Sequence, residues 1–129
     1  MTQPYVPLRV LSSFTMLEGA MEPKTIAERA AKLAFPAVAL TDRNGLYGAM
    51  PFSDACIAKG VQPIIGACLG VARPPEIGGE DGIDWLVLLA QDEIGYANLC
   101  KLVSSAHLDR RWNSIRTSPS LRLTGLAAG

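Results

Sequence analysis

The residue types best suited to chemistry lie in Ala37–Gly48, where Thr41-Asp42-Arg43-Asn44-Gly45 follows the apolar run Ala37-Val38-Ala39-Leu40. An apolar run bounded by turn signals reads as a buried strand. The polar cluster after it can bond its own backbone, and Gly45 tolerates a positive φ. A helix-like pattern restarts at Leu46, so the stretch reads as strand, polar turn, helix. In parallel sheets ligands gather where strands end in such turns, which puts the Asp42 carboxylate at a potential active edge. The simpler reading of these twelve residues is that Asp42 caps the next helix or fixes the turn.

Other chemistry-bearing residues are sparse. Cys56, Cys68 and Cys100 are an odd, scattered set without a C-x-x-C pair, which reads as free thiols in a reducing compartment rather than a zinc site or a disulfide frame. The sole histidine, His107, falls in a helical pattern near residue 107.

The elements that must position these residues follow from periodicity. Tyr5–Leu11 alternates apolar positions and suggests a first strand, with Pro7 near its start or on an edge. Pro23–Ala34 predicts a helix with Ile26, Ala30 and Leu33 as its stripe; Pro23 fits a first turn, and Thr25 with Glu28 has capping-box spacing. Leu46–Lys59 predicts a second helix, with Pro51 near its start and Gly60 as its stop. Val61–Ala72 reads as one or two buried extended pieces around Gly66. Pro74–Gly82 reads as a loop, and Trp85–Ala90 as a central strand. A third helix runs from about Asp92 to about His107, with Tyr96, Leu99, Val103 and Ala106 on one face. Strands alternating with helices predict an α/β fold with a parallel sheet or partial barrel.

With 129 residues, 49% of them hydrophobic, the chain suits one small domain with a real core. No stretch approaches the roughly 18 apolar residues of a membrane span, and the N-terminus lacks a signal-peptide pattern, so a soluble cytoplasmic protein with no membrane partner is expected. The net charge of zero hides an asymmetry: residues 1–109 carry eight Lys or Arg against twelve Asp or Glu, whereas 110–129 carry four Arg and no acid. The mildly acidic body lacks the basic footprint of an autonomous DNA binder. Two parts are therefore expected, a domain over 1–109 and a flexible Arg/Ser-rich tail over 110–129, with an extended segment at Leu121–Leu126 as the rival reading.

Several stretches in order carry a resemblance: Tyr5-Val6-Pro7-Leu8-Arg9-Val10, Met16-Leu17-Glu18-Gly19-Ala20, Pro36-Ala37-Val38-Ala39-Leu40-Thr41-Asp42, Gln62-Pro63-Ile64-Ile65-Gly66, Leu86-Val87-Leu88-Leu89-Ala90-Gln91 and Gly95–Ser104. Over about residues 5–109 the chain resembles the PHP (polymerase and histidinol phosphatase) domain at the N-terminus of bacterial DNA polymerase III alpha subunits. The resemblance implies a partial PHP-type distorted (β/α) barrel, parallel strands alternating with helices, and metal ligands at the strand ends. It also implies an incomplete chain, a truncated or frameshifted head without the palm aspartates of two-metal nucleotide transfer. Magnesium is then expected only in the missing polymerase domains. The implied partners are the rest of the polymerase and the proofreading exonuclease, with DNA reached only through the full-length protein. Glu18-Gly19-Ala20 and Pro63–Gly66 lean towards the replicative kind, while Asp42-Arg43-Asn44 would suit an error-prone paralogue.

The sequence departs from that family at the implied metal site. Where metal-competent members carry His-x-His it has Arg9-Val10-Leu11; for Thr-Asp-His it has Thr41-Asp42-Arg43; and for a glutamate after Ile-Gly it has Ala67-Cys68. A guanidinium repels a divalent ion, and Leu11 offers no lone pair. Arg9, Leu11, Asp42, Arg43 and Cys68 are thus degenerate site positions, with no metal and no catalytic residue expected. Asp42 is expected to pair with Arg9 or Arg43, and Cys68 to be a buried filler. The function implied is a scaffolding portion of the polymerase, not catalytic by itself. The alternatives are a stand-alone PHP-type metal-dependent phosphoesterase and a non-functional truncated fragment.

Overall fold

The computed structural model describes residues 4–72, 83–108 and 120–121. Helix α1 spans Pro23–Lys32 and starts at Pro23, whose missing N–H costs nothing in a first turn. Its buried face is Pro23, Ile26, Ala27 and Ala30. Leu33, expected on that stripe, is 59% exposed, because the helix has ended and Leu33 is its C-cap. Strand β1 is Ala37–Leu40, and helix α2 is Ala49–Ala58, with Pro51 in its first turn. Strand β2 is Gln62–Ala72, strand β3 is Ile83–Leu89, helix α3 is Glu93–Leu108, and Ser120–Leu121 forms strand β4.

The expected first strand is an extended segment rather than a laddered one. It leans on β1 and the residue after it through two backbone bonds, Ala39 N–H to the Pro7 carbonyl at 2.9 Å and Thr41 N–H to the Val10 carbonyl at 2.8 Å. Three residues on one side match two on the other, as in a bulge, and Pro7 has no N–H to return a bond.

Strand β2 organises the sheet. Its first part pairs parallel with β1, from Ala37 opposite Gln62 to Leu40 opposite Ile65. Its second part pairs antiparallel with β3, from Gly66 opposite Leu89 to Ala72 opposite Ile83, and its end pairs parallel with β4 at Gly70 and Val71. Of the one or two pieces expected around Gly66, the structure shows one strand that changes partner there. A Cβ on Gly66 would stand 2.6 Å from the Leu88 carbonyl oxygen, so the change of partner needs a glycine.

The expectation of a central strand at Trp85–Ala90 is corrected: among the described residues β3 lies at the end of the order β1-β2-β3, antiparallel to β2. Only ten residues separate Ala72 from Ile83, too few for the crossover that parallel neighbours need. The loop expected at Pro74–Gly82 lies outside the described residues, as does the expected Arg/Ser-rich tail apart from Ser120–Leu121.

Two apolar clusters fix the helices to the sheet. The first gathers Ile26, Ala27, Ala30, Val38, Leu40, Phe52, Cys56 and Val61, joining α1, β1 and α2. The second gathers Ala67, Leu69 and Leu99, with Leu46, Leu88, Leu102 and Val103 packed around them, and holds α3 against β2 and β3.

Candidate functional site

The polar centre of the molecule forms just past the end of β1. Asp42 is 2% exposed, and its carboxylate accepts three hydrogen bonds. Ser12 donates its backbone N–H to Oδ1 at 2.7 Å and its hydroxyl to Oδ2 at 2.7 Å, while Thr15 donates its hydroxyl to Oδ1 at 2.8 Å. A buried carboxylate requires such donors, since an unpaired one would carry a large desolvation cost. Each hydroxyl also accepts: Ser12 Oγ from Phe14 N–H at 3.2 Å, and Thr15 Oγ1 from Arg43 N–H at 3.1 Å. The carboxylate therefore anchors the loop 12–21 onto the strand end.

That loop is closed on itself. Ser13 N–H reaches the Met21 carbonyl at 2.8 Å, and Gly19 N–H reaches the Thr15 carbonyl at 2.9 Å. A Cβ on Gly19 would stand 1.8 Å from the Ser12 carbonyl oxygen, so no other residue fits without moving backbone. Between these ties Leu17 sits at φ 69° with its side chain wholly exposed.

Beyond Asp42 the chain runs on beside β2. Cys68 N–H donates to the Asp42 carbonyl at 2.9 Å, Asn44 N–H to the Cys68 carbonyl at 2.9 Å, and Arg43 bridges Cys68 in parallel register. Side chains alternate along extended backbone, so Arg43 leaves from the face opposite Asp42. Its guanidinium lies over the Trp85 ring, 4.3 Å from the centroid, and pairs with the Glu18 carboxylate. Its Nε is buried and has no hydrogen-bond partner among the described residues. At the same turn His107 Nε2 lies 2.7 Å from the Asn44 carbonyl oxygen. A carbonyl only accepts, so Nε2 carries the proton.

The expected pairing of Asp42 with Arg9 or Arg43 is therefore not formed. Asp42 is held by hydroxyls and an amide, Arg43 pairs with Glu18, and Arg9 is exposed. Leu11 is half-buried, and Cys68 is fully buried beside Arg43. Sequence reasoning missed Ser12, Thr15, Glu18 and Trp85. Ser12 lies 30 residues from Asp42 and Thr15 27, and no spacing rule connects them. Among the described residues no three of His, Cys, Asp and Glu gather as a metal-holding group. The displaced titrations lie away from the carboxylate. Burial pushes the Cys56 thiol up to about 11, and the Tyr96 phenol is raised, first by its hydrogen bond with Cys100 and then by burial.

Residues 7–124 match the family described as the PHP domain. The chain belongs to that family. Its similar relatives include the DNA polymerase III subunit alpha of Caulobacter vibrioides, 44% identical over 112 residues, covering 83% of this chain and 10% of that protein. The error-prone DNA polymerase of Anaeromyxobacter sp. strain K is 43% identical over 113 residues, covering 84% of this chain and 9% of that protein. This PHP domain thus spans about a tenth of the length of the curated relatives it matches.

Solved structures show the same fold. An amidohydrolase from Chromobacterium violaceum, described with bound sulfate and no metal, aligns at a TM-score of 0.57 and 21% identity, covering 78% of this PHP domain and 34% of that chain. A protein described as a metal-dependent phosphoesterase from Bifidobacterium adolescentis aligns at 0.56 and 17%, covering 81% and 36%. Among the described residues no helix is long and apolar enough to cross a membrane.

Proposed function

We propose that this PHP domain serves as a structural portion of a DNA polymerase III alpha-type protein, with a degenerate metal site and no chemistry of its own. The observation that carries the reading is the state of the Asp42 carboxylate. Both oxygens are already taken by Ser12 and Thr15, and the next residue along the chain is a guanidinium rather than an imidazole. Of the five degenerate positions only Asp42 is a hard anionic donor; Arg9 and Arg43 are cations, Leu11 has no lone pair, and Cys68 is fully buried. This set does not fit a divalent ion. Nucleotide transfer needs paired carboxylates holding two metal ions, and in this reading those, with their magnesium, belong to other parts of the polymerase. The partners in this reading are those parts and the proofreading exonuclease, with DNA engaged only by the assembly in the cytoplasm. The 44% identity to a polymerase subunit supports it.

The test is calorimetric titration of the purified chain with Mn²⁺ and Zn²⁺, alongside hydrolysis of p-nitrophenyl phosphate. No saturable binding and no hydrolysis are expected. A tightly held ion with phosphatase activity would instead make the chain a stand-alone phosphoesterase.

A further inference from the structure

We infer that Arg43 is a built-in cationic clamp that ties the loop 12–21 to β3 across the end of β1, doing with a fixed guanidinium what a bound cation would do with ligands from separate strands. The inference rests on the reading that these positions do not hold an ion.

Three separate parts of the chain meet on this one side chain: Glu18 from the loop, Arg43 from the strand end and Trp85 from β3. The register explains how it reaches. Arg43 lies beside Cys68 of β2, Cys68 lies opposite Val87, and Trp85 lies opposite Gly70. The β2 residues between the guanidinium and the indole are thus a cysteine and a glycine, small enough to let a long side chain cross the strand. A guanidinium suits the task because its face stacks on an aromatic ring while its edge pairs with a carboxylate. An ammonium has no such face. The orphaned Nε indicates that the stack and Glu18, rather than a full hydrogen-bond set, hold the group. Asp42 fixes the base of the loop through Ser12 and Thr15, and Arg43 restrains the part carrying Glu18. Adjacent residues of opposite charge thereby hold one loop from two faces of the strand.

The experiment measures chymotrypsin cleavage at the exposed Phe14, Met16 and Leu17 of the whole chain, in wild type, Glu18→Gln, Arg43→Lys and Arg43→Met, with EDTA or Mn²⁺. Cleavage of a closed loop follows the population of its open form. Arg43→Met is expected to raise the initial rate by on the order of tenfold, with Glu18→Gln and Arg43→Lys between it and wild type. In a Trp112→Phe background, Arg43→Met is also expected to shift the Trp85 emission. Unchanged cleavage in both Glu18→Gln and Arg43→Lys overturns the clamp, and these two decide the matter if Arg43→Met does not fold. Slower cleavage of wild type on adding Mn²⁺ would instead overturn the reading that the site holds no ion, a result separable from the variant series.

Discussion

The two halves of the sheet are built differently. In the parallel half, β1 and the start of β2 lie under α1 and α2, and eight buried residues, Phe52 the largest, form one cluster. In the antiparallel half, β2 and β3 share α3, the buried cluster among the described residues is the smaller one of Ala67, Leu69 and Leu99, and β3 is half-exposed along its length. Burying a large apolar side chain contributes about 1.5–3 kcal/mol, so the first half carries most of the packing energy. The polar centre sits at their junction. A site placed there draws rigidity from one side and adjustable neighbours from the other.

The contrast can be broken most directly at Phe52. Phe52→Ala should destabilise by about 3–5 kcal/mol, since it opens a cavity in the larger cluster. Leu99→Ala should cost less, about 2–3 kcal/mol, because its thinner surroundings can collapse around the gap. Urea melts followed by circular dichroism would check both, and equal losses would remove the asymmetry. Asp42→Ala tests the junction: three donors lose their acceptor, and a cost of about 3 kcal/mol is expected.

Alkali sharpens the comparison through Cys56, buried in the first cluster with its thiol pushed up to about 11 from 9.0. The folded state holds this proton more tightly than the unfolded chain. The contribution is therefore whole below pH 9 and declines as pH rises towards 11, by about 2 kcal/mol. Cys56→Ala should melt less steeply over that window, and parallel profiles for the two proteins would count against the assignment. The smallest effect is expected at Leu17, whose backbone is left-handed while its side chain touches solvent alone. Leu17→Gly should raise stability by roughly 1 kcal/mol, visible as a higher urea midpoint.

The parallel half was also the more legible half. β1 could be read because an apolar run ended in a polar turn, and α1 because Pro23 opened a stripe of buried positions. In β3 the half-exposed pattern and the ten-residue connection both point to an antiparallel edge, and the apolar run Trp85–Ala90 concealed it. The place of Asp42 just past the end of β1 was legible; its partners were not. Hydroxyls about 30 residues away come to a carboxylate only when the whole loop folds back, and local spacing holds no trace of that. The direction of Arg43 follows from strand alternation, but only once the extended path past Asp42 is known.

His107 is the only histidine in the chain, and it meets the Asn44 carbonyl where α3 approaches the turn after Asp42. A proton spectrum of the unlabelled protein will therefore contain one pair of imidazole ring signals, and they report on this joint alone. Any ligand, partner or substitution that shifts α3 against the turn will be seen there without a tag.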